Sequence, residues 1–249
     1  MTAKIITLAI QKGGSGKTTN SANIAHTMGQ KNYKVLLVDI DPQASLTNWY
    51  GFSEFEKEDN LYTLIDTQEG TPVNVALNVD LLKGSNLLQE LESIEKLPLD
   101  LLKKALKPFV EIYDYIIIDT PPAVGNLTKI AIFASSKTFV PIQATPLAFR
   151  GINSILRVIE EVEKTDNHDR LGGIFLCCTH SNQNLTKIIK ENLDGKYEPF
   201  NMKANIRSSV DVASSMLAQQ SVIEFAPNSL VKLDYFNLTD EILERINEN

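Results

Sequence analysis

Residues 11–19 read Gln11-Lys12-Gly13-Gly14-Ser15-Gly16-Lys17-Thr18-Thr19, three glycines between two lysines with threonines behind them. Gly13, Gly14 and Gly16 lack a Cβ, so their amides can turn inward and approach phosphate oxygens closely. Thr18 and Thr19 open a helical stretch, whose N-terminal amides and positive dipole end favour an anion. Lys17 brings a point charge to the β- and γ-phosphates of a nucleoside triphosphate, and the Thr18 hydroxyl can ligate Mg²⁺. The general phosphate-loop pattern G-x-x-x-x-G-K-[ST] wants glycine at position 11, where Gln11 stands. The pattern met instead is K-G-G-x-G-K-T-T. A glycine-rich turn that merely joins strand to helix is the competing reading. A strand before the loop and a helix after it favour phosphate binding.

Hydrolysis also needs a metal site and a positioned water, which calls for carboxylates. Val38-Asp39-Ile40-Asp41-Pro42-Gln43 and Ile116-Ile117-Ile118-Asp119-Thr120-Pro121-Pro122 both end strand-like runs in aspartate. Open α/β sheets place their ligands at such carboxyl ends. Asp39 and Asp41 can face one side of an extended segment. Mg²⁺ is satisfied by one or two carboxylates plus waters, so this set of oxygens suffices. Each aspartate can also be read as a strand-terminal helix cap.

The elements that must position these groups alternate. Near-continuous apolar runs at 4–10, 34–39, 115–119, 138–143 and 172–179 predict parallel strands covered on both faces. Helical periodicity fills 18–30, 99–110, 126–136, 147–164, 185–194, 209–219 and 233–247. Such alternation predicts an α/β fold, a doubly wound and mostly parallel sheet flanked by helices. No repeat or linker-like composition break divides it, so residues 1–249 are expected to form one domain. Residues 51–95 are the least regular and read as a solvated insertion, with a partner-binding surface as the other reading.

The chain of 249 residues carries 31 acidic and 24 basic side chains, a net charge of −7. It is therefore no polycation that would coat DNA or acidic lipid, and any nucleic-acid contact must come from a local patch. Cys177 and Cys178 are adjacent in an apolar run, which argues against a disulfide between them or a shared metal; they read as buried structural thiols. No apolar run is long enough to cross a bilayer, and the first strand follows Met1 too closely for a cleavable leader. A cytoplasmic protein is expected.

The loop with its early lysine resembles that of the ParA/MinD family of deviant Walker-type ATPases, and the likeness spans nearly the whole chain. Asp41-Pro42-Gln43-Ala44-Ser45-Leu46-Thr47-Asn48-Trp49 is similar to the segment after the second strand in small plasmid-partition ParA proteins. Pro146-Leu147-Ala148-Phe149-Arg150-Gly151 resembles the start of the helix along that family's dimer interface. The resemblance implies an ATP-sandwich homodimer in which Lys12 reaches the nucleotide of the other subunit. It implies that Asp41 orients the attacking water, that Asp39 lies near the metal's hydration shell and that Asp119 holds a Mg²⁺-bound water. Arg207 falls where the family has an arginine implicated in nonspecific DNA binding, and Pro227 resembles the turn near the adenine.

The function implied is DNA partition, of a plasmid or a chromosome. An ATP-loaded dimer would rest on the nucleoid and be stimulated by a ParB-like centromere-binding protein. The chain begins at its first strand, so an N-terminal DNA-reading domain is not expected. Asn228 and Leu230 stand where the family often extends its DNA surface with arginines, so Arg207 alone carries over cleanly; Lys187, Lys190 and Lys203 can add to a patch. A MinD-like membrane-positioning ATPase is the alternative, but the last helix presents an acidic polar face that anionic lipid would repel. Cluster-binding relatives need spaced cysteines, which this chain lacks.

Overall fold

The computed structural model describes residues 2–55, 58–145, 148–180 and 184–248, with only the backbone at 148–150 and 185. Its first half runs β1 Lys4–Leu8, α1 Lys17–Gln30, β2 Val35–Asp39, α2 Ser45–Trp49, α3 Leu61–Thr67, β3 Val73–Ala76, β4 Val79–Leu82, α4 Gln89–Glu92, α5 Leu101–Ala105 and β5 Tyr115–Asp119. The second half runs α6 Asn126–Ala134, β6 Lys137–Gln143, α7 Ala148–Asp166, β7 Leu171–Cys177, α8 Asn184–Tyr197, α9 Val210–Leu217, α10 Val222–Phe225 and α11 Leu230–Asn247.

Among the described residues the strands form one sheet in the order β3-β4-β2-β5-β1-β6-β7. All neighbours are parallel except β3, which pairs antiparallel with β4 through a register shift. Because successive side chains of a strand point to opposite faces, a run such as Ile5-Ile6 feeds two cores. Ile6, Leu8, Leu37, Ile117 and Phe175 share one cluster with residues of α1 and α11. Ile5, Leu36, Val38, Ile116 and Ile118 share a second with residues of α5 and α6, and Val140, Ile142, Ile174 and Leu176 a third with residues of α7 and α8. Both faces are dry, as the unbroken hydrophobicity of these strands required.

Two expectations need correction. Residues 51–95 are no solvated insertion: β4 pairs parallel with β2, and Leu61, Leu64, Val79, Leu81, Leu82, Leu88 and Leu91 are buried. Their apolar positions are divided among elements of four to seven residues, too short for any period to stand out. The helix expected over 99–110 is also broken. It stops at Ala105, and Pro108 sits in a 3-10 turn, Lys107–Phe109, because proline cannot donate to a continuing helix. The start of the expected dimer-interface helix at Pro146 and Leu147 lies outside the described residues.

Candidate functional site

β1, β2 and β5 end side by side, with Leu8 paired to Asp119 and Asp39 paired to Asp119 across the sheet. From Leu8 the chain must reverse into α1, and it does so through left-handed backbone at Gly14 (φ +65°) and Gly16 (φ +86°). A side chain in that region costs about 1–2 kcal/mol, which explains glycine at both positions. Gly16 caps α1 without any side-chain hydrogen bond, and the first turn contains no acidic residue. The first amides of the helix are therefore left for an external acceptor. In the same loop the Ser15 hydroxyl is buried and has no partner among the described residues. A buried orphan donor beside an uncapped helix start fits an oxyanion.

Charged side chains converge on this loop. Lys17 is 7% exposed and donates to the Lys12 carbonyl at 3.3 Å. Burial lowers its pKa, while Asp119 and Asp41 pull it back up. Asp119 is fully buried and accepts from the Thr18 hydroxyl at 2.7 Å and the Ser21 hydroxyl at 3.1 Å. Burial pushes its carboxyl up to about 6, against the pull of Thr18, Lys17 and Ser21. Thr18 and Asp119 thus stand together as oxygen donors, and a hard divalent cation would relieve the desolvated carboxylate. Asp41 lies at the rim, accepting from the Gln43 amide at 2.9 Å, and burial raises its pKa as well.

Asp39 is held by hydrogen bonds within the chain. Its carboxylate accepts from the Thr47 amide and hydroxyl, both at 2.8 Å, and from the Asp41 amide at 3.2 Å. Thr47 in turn accepts from the Gly84 amide at 2.8 Å, so Asp39 ties β2 to α2 and to the end of β4. Full burial, with Asp119 nearby, lifts its carboxyl to about 8.

Above the loop lies a cavity of 560 Å³ lined by Gly13 through Thr19, Asp41, Gln43, Asn48, Trp49, Thr120 and Met216. A second chamber of 340 Å³ shares Gly14, Gly16, Thr19 and Met216 with it. Its other walls are Gln143, Cys177, Cys178 and residues of the stretch 206–216. Lys12 lines neither chamber but reaches Gln143, which lines the second. Its ammonium donates to the Thr145 hydroxyl at 3.3 Å and to Gln143 Oε1 at 3.5 Å, within its own chain.

Two other candidates are not part of the loop itself. Arg207 lines the second chamber, but its guanidinium donates from Nε and Nη2 to Asp234 at 2.7 and 2.8 Å, so most of its charge is matched. Pro227 is exposed in the turn after α10 and lines neither chamber. α10 buries Val222 and Ile223, and the Val222 amide donates to Asn23 of α1, which ties the turn's helix to α1.

Cys177 is buried as expected, whereas Cys178 is exposed; both thiols are free. The correction has a simple cause, because β7 ends at Cys177 and Cys178 takes left-handed backbone at φ +54°. Sequence reasoning also missed Ser21, Gln143, Thr47, Trp49 and Met216. Ser21 was within reach, three residues after Thr18 on the same face of α1. Gln143 was too, at the carboxyl end of β6. Met216 enters from a helix distant in sequence and carries no local signal.

A family model described as an AAA domain matches residues 3–171. Among relatives, the sporulation initiation inhibitor protein Soj of Bacillus subtilis is 31% identical over 96% of this chain and 98% of its own length. The virulence plasmid ParA family protein pGP5-D of Chlamydia psittaci is 31% identical over 94% and 92%. A plasmid partition protein from Borrelia burgdorferi, solved with AMPPNP bound, superposes with a TM-score of 0.82 at 26% identity, covering 97% of this chain and 99% of that one. Apo McdA from Cyanothece shares the fold, with a TM-score of 0.86 at 22% identity over 97% of this chain and 99% of its own.

Proposed function

Since the chain belongs to the ParA family of P-loop ATPases, we propose that it is a Mg²⁺-dependent ATPase that partitions DNA as an ATP-bound homodimer. The observation that carries the reading is the meeting of an uncapped α1, the orphan Ser15 hydroxyl and the buried Lys17 beside the Thr18–Asp119 pair. The triphosphate occupies the 560 Å³ cavity, its oxygens accepting from the amides of Gly13 through Thr19. The more apolar second chamber receives the nucleoside end.

Thr18 and Asp119 are the residues that would hold Mg²⁺, and the ion would supply positive charge to the phosphate oxygens there. Asp39 acts on that site from behind by fixing the Asp41 backbone. Asp41, at the mouth of the cavity, orients the attacking water. Lys17 stabilises charge on the transferred phosphoryl group, and Lys12 does so for the neighbouring subunit after leaving Gln143 and Thr145.

Arg207 contributes to a weak, salt-sensitive contact with nonspecific DNA, which suits a cytoplasmic, nucleoid-associated protein stimulated by a ParB-like partner. A lipid-bound alternative gains nothing from α11, whose Val231, Tyr235, Leu238, Ile242 and Ile246 are buried in the core. No described helix is long and apolar enough to cross a membrane.

Sedimentation velocity with and without a nonhydrolysable ATP analogue, repeated with nonspecific duplex DNA, tests the proposal. The expected result is a monomer that dimerises with Mg²⁺ and analogue, and a dimer that binds DNA at ~50 mM salt and largely releases it at ~200 mM. A protein that stays monomeric with saturating analogue would remove the sandwich dimer. A dimer indifferent to DNA at low salt would remove the partition role.

A further inference from the structure

α1 carries three polar side chains at the spacing of one helix face, Thr19, Asn23 and His26. Thr19 donates to the Met216 sulfur of α9 at 3.5 Å, and Asn23 accepts from the Val222 amide of α10 at 2.8 Å. His26 is buried and continues the row, its Nδ1 standing 3.3 Å from Oε2 of Glu224 on α10. It also reaches α2. Its Nε2 lies 2.8 Å from the hydroxyl of Tyr50, the residue that closes that helix. The His26 and Tyr50 rings are within 4° of parallel, and Tyr50 stacks in turn on Trp49 of the phosphate chamber.

The ends of this chain of bonds set the direction of each. A glutamate carboxylate only accepts, and Glu224 already accepts from the Ser221 hydroxyl at 3.2 Å. His26 Nδ1 therefore carries the imidazole proton, and Nε2 accepts from the Tyr50 hydroxyl. Both ring nitrogens are engaged, so the imidazole is fixed in one tautomer and one orientation.

The geometry points to His26 as a positioning residue for hydrolysis: it pins the end of α2 to α1, with Glu224 setting its tautomer, and so steadies the segment that carries Asp41. Neither His26 nor Tyr50 lines a chamber, whereas Ser45, Asn48 and Trp49 of α2 line the one over the loop. Asn48 donates to the Gln43 carbonyl at 3.3 Å, and the Gln43 amide donates to the Asp41 carboxylate at 2.9 Å. A shift of α2 is passed to Asp41 through these two bonds. Thr47 ties the middle of the helix to Asp39, and His26 supplies the tie at its far end. The loop amides and Lys17 belong to α1 and its approach, so they keep their hold on phosphate when α2 loosens. The loss then falls on turnover and spares affinity.

The effect on turnover rests on the ATPase reading above; the tie between α2 and α1 does not. Tyr50→Phe removes one hydroxyl and keeps the ring, so it carries the test even if His26→Ala fails to fold. Its kcat for ATP is expected to fall about 10-fold, with analogue affinity by calorimetry within about twofold of wild type. Glu224→Ala should lower kcat by a smaller factor and add nothing in the Tyr50→Phe background, since its action passes through the same bond. His26→Gln, whose side-chain oxygen can accept from the Tyr50 hydroxyl, should retain more turnover than His26→Ala. Hydrogen exchange read by mass spectrometry should quicken at residues 44–51 of Tyr50→Phe.

Wild-type turnover in Tyr50→Phe overturns the proposal, as does a loss shared equally by turnover and affinity. So do losses that multiply in the Tyr50→Phe, Glu224→Ala double variant, or a His26→Gln no better than His26→Ala. If the wild-type protein hydrolyses no ATP, the ATPase reading fails instead, and exchange at 44–51 decides: faster exchange in Tyr50→Phe upholds the tie, and unchanged exchange removes it.

Discussion

The two chambers of the site draw on different parts of the chain. The chamber over the loop is made of main-chain amides and charged side chains fixed at the ends of β1, β2 and β5, the central strands of the sheet. In the second, the stretch 206–216, Gln143 and the end of β7 close around a smaller space whose walls are the more apolar of the two. Chemistry constrains residue type in the first and volume in the second. Changes in the first should therefore strike turnover, whereas changes in the second should strike affinity.

The sharpest break would come from Lys17→Ala, which removes the buried ammonium facing Asp119 and Asp41. Turnover is expected to fall about 1000-fold, the scale of losing a group aimed at transition-state charge. Steady-state ATP hydrolysis checks it, and a loss under tenfold would deny Lys17 its role. Asp41→Ala should follow, with turnover down about 100-fold and little change in analogue affinity by calorimetry. Equal losses of turnover and affinity would place Asp41 in binding instead of water orientation.

Val212→Ala tests the other side. Trimming this side chain, which lines the second chamber and not the first, should raise KM about 3- to 10-fold with kcat held, as loss of uniform binding does. A fall in kcat alone would erase the contrast between the chambers.

The smallest effect is on stability, and it belongs to the carboxylates of the central strand ends. Asp39 at about 8 and Asp119 at about 6 both sit above the ordinary carboxylate range. Between pH 5 and 7 the folded protein then binds more protons than the unfolded chain, so stability should fall as pH rises, by about 1–2 kcal/mol per pH unit. Urea melts of the nucleotide-free protein at pH 5, 6 and 7 measure it. A flat or rising profile would mean that one or both carboxylates are ionised without strain.

The same division explains what could be read in advance. Lys17, Thr18, Asp41 and Asp119 were legible because phosphate and metal chemistry admits few residue types, and each sits next to an apolar strand that announces itself. The sheet was legible at β1, β2, β5, β6 and β7 for that second reason. β3 and β4 were not, since a four-residue strand carries too little pattern and its place is set by the neighbour it pairs with. The bonds that hold Asp39 were not legible, because the donors of Thr47 come from another element. Cys178 looked buried because its neighbours were apolar; a single left-handed residue at the strand's end reversed that.

Trp49 is the chain's one tryptophan, and it stands in the wall of the phosphate chamber, 7% exposed, its indole N–H without a partner among the described residues. The molecule thus carries its own optical gauge at the place where substrate would arrive. Intrinsic emission can follow filling and emptying of the pocket in real time, without a dye and without contribution from any second fluorophore of that type.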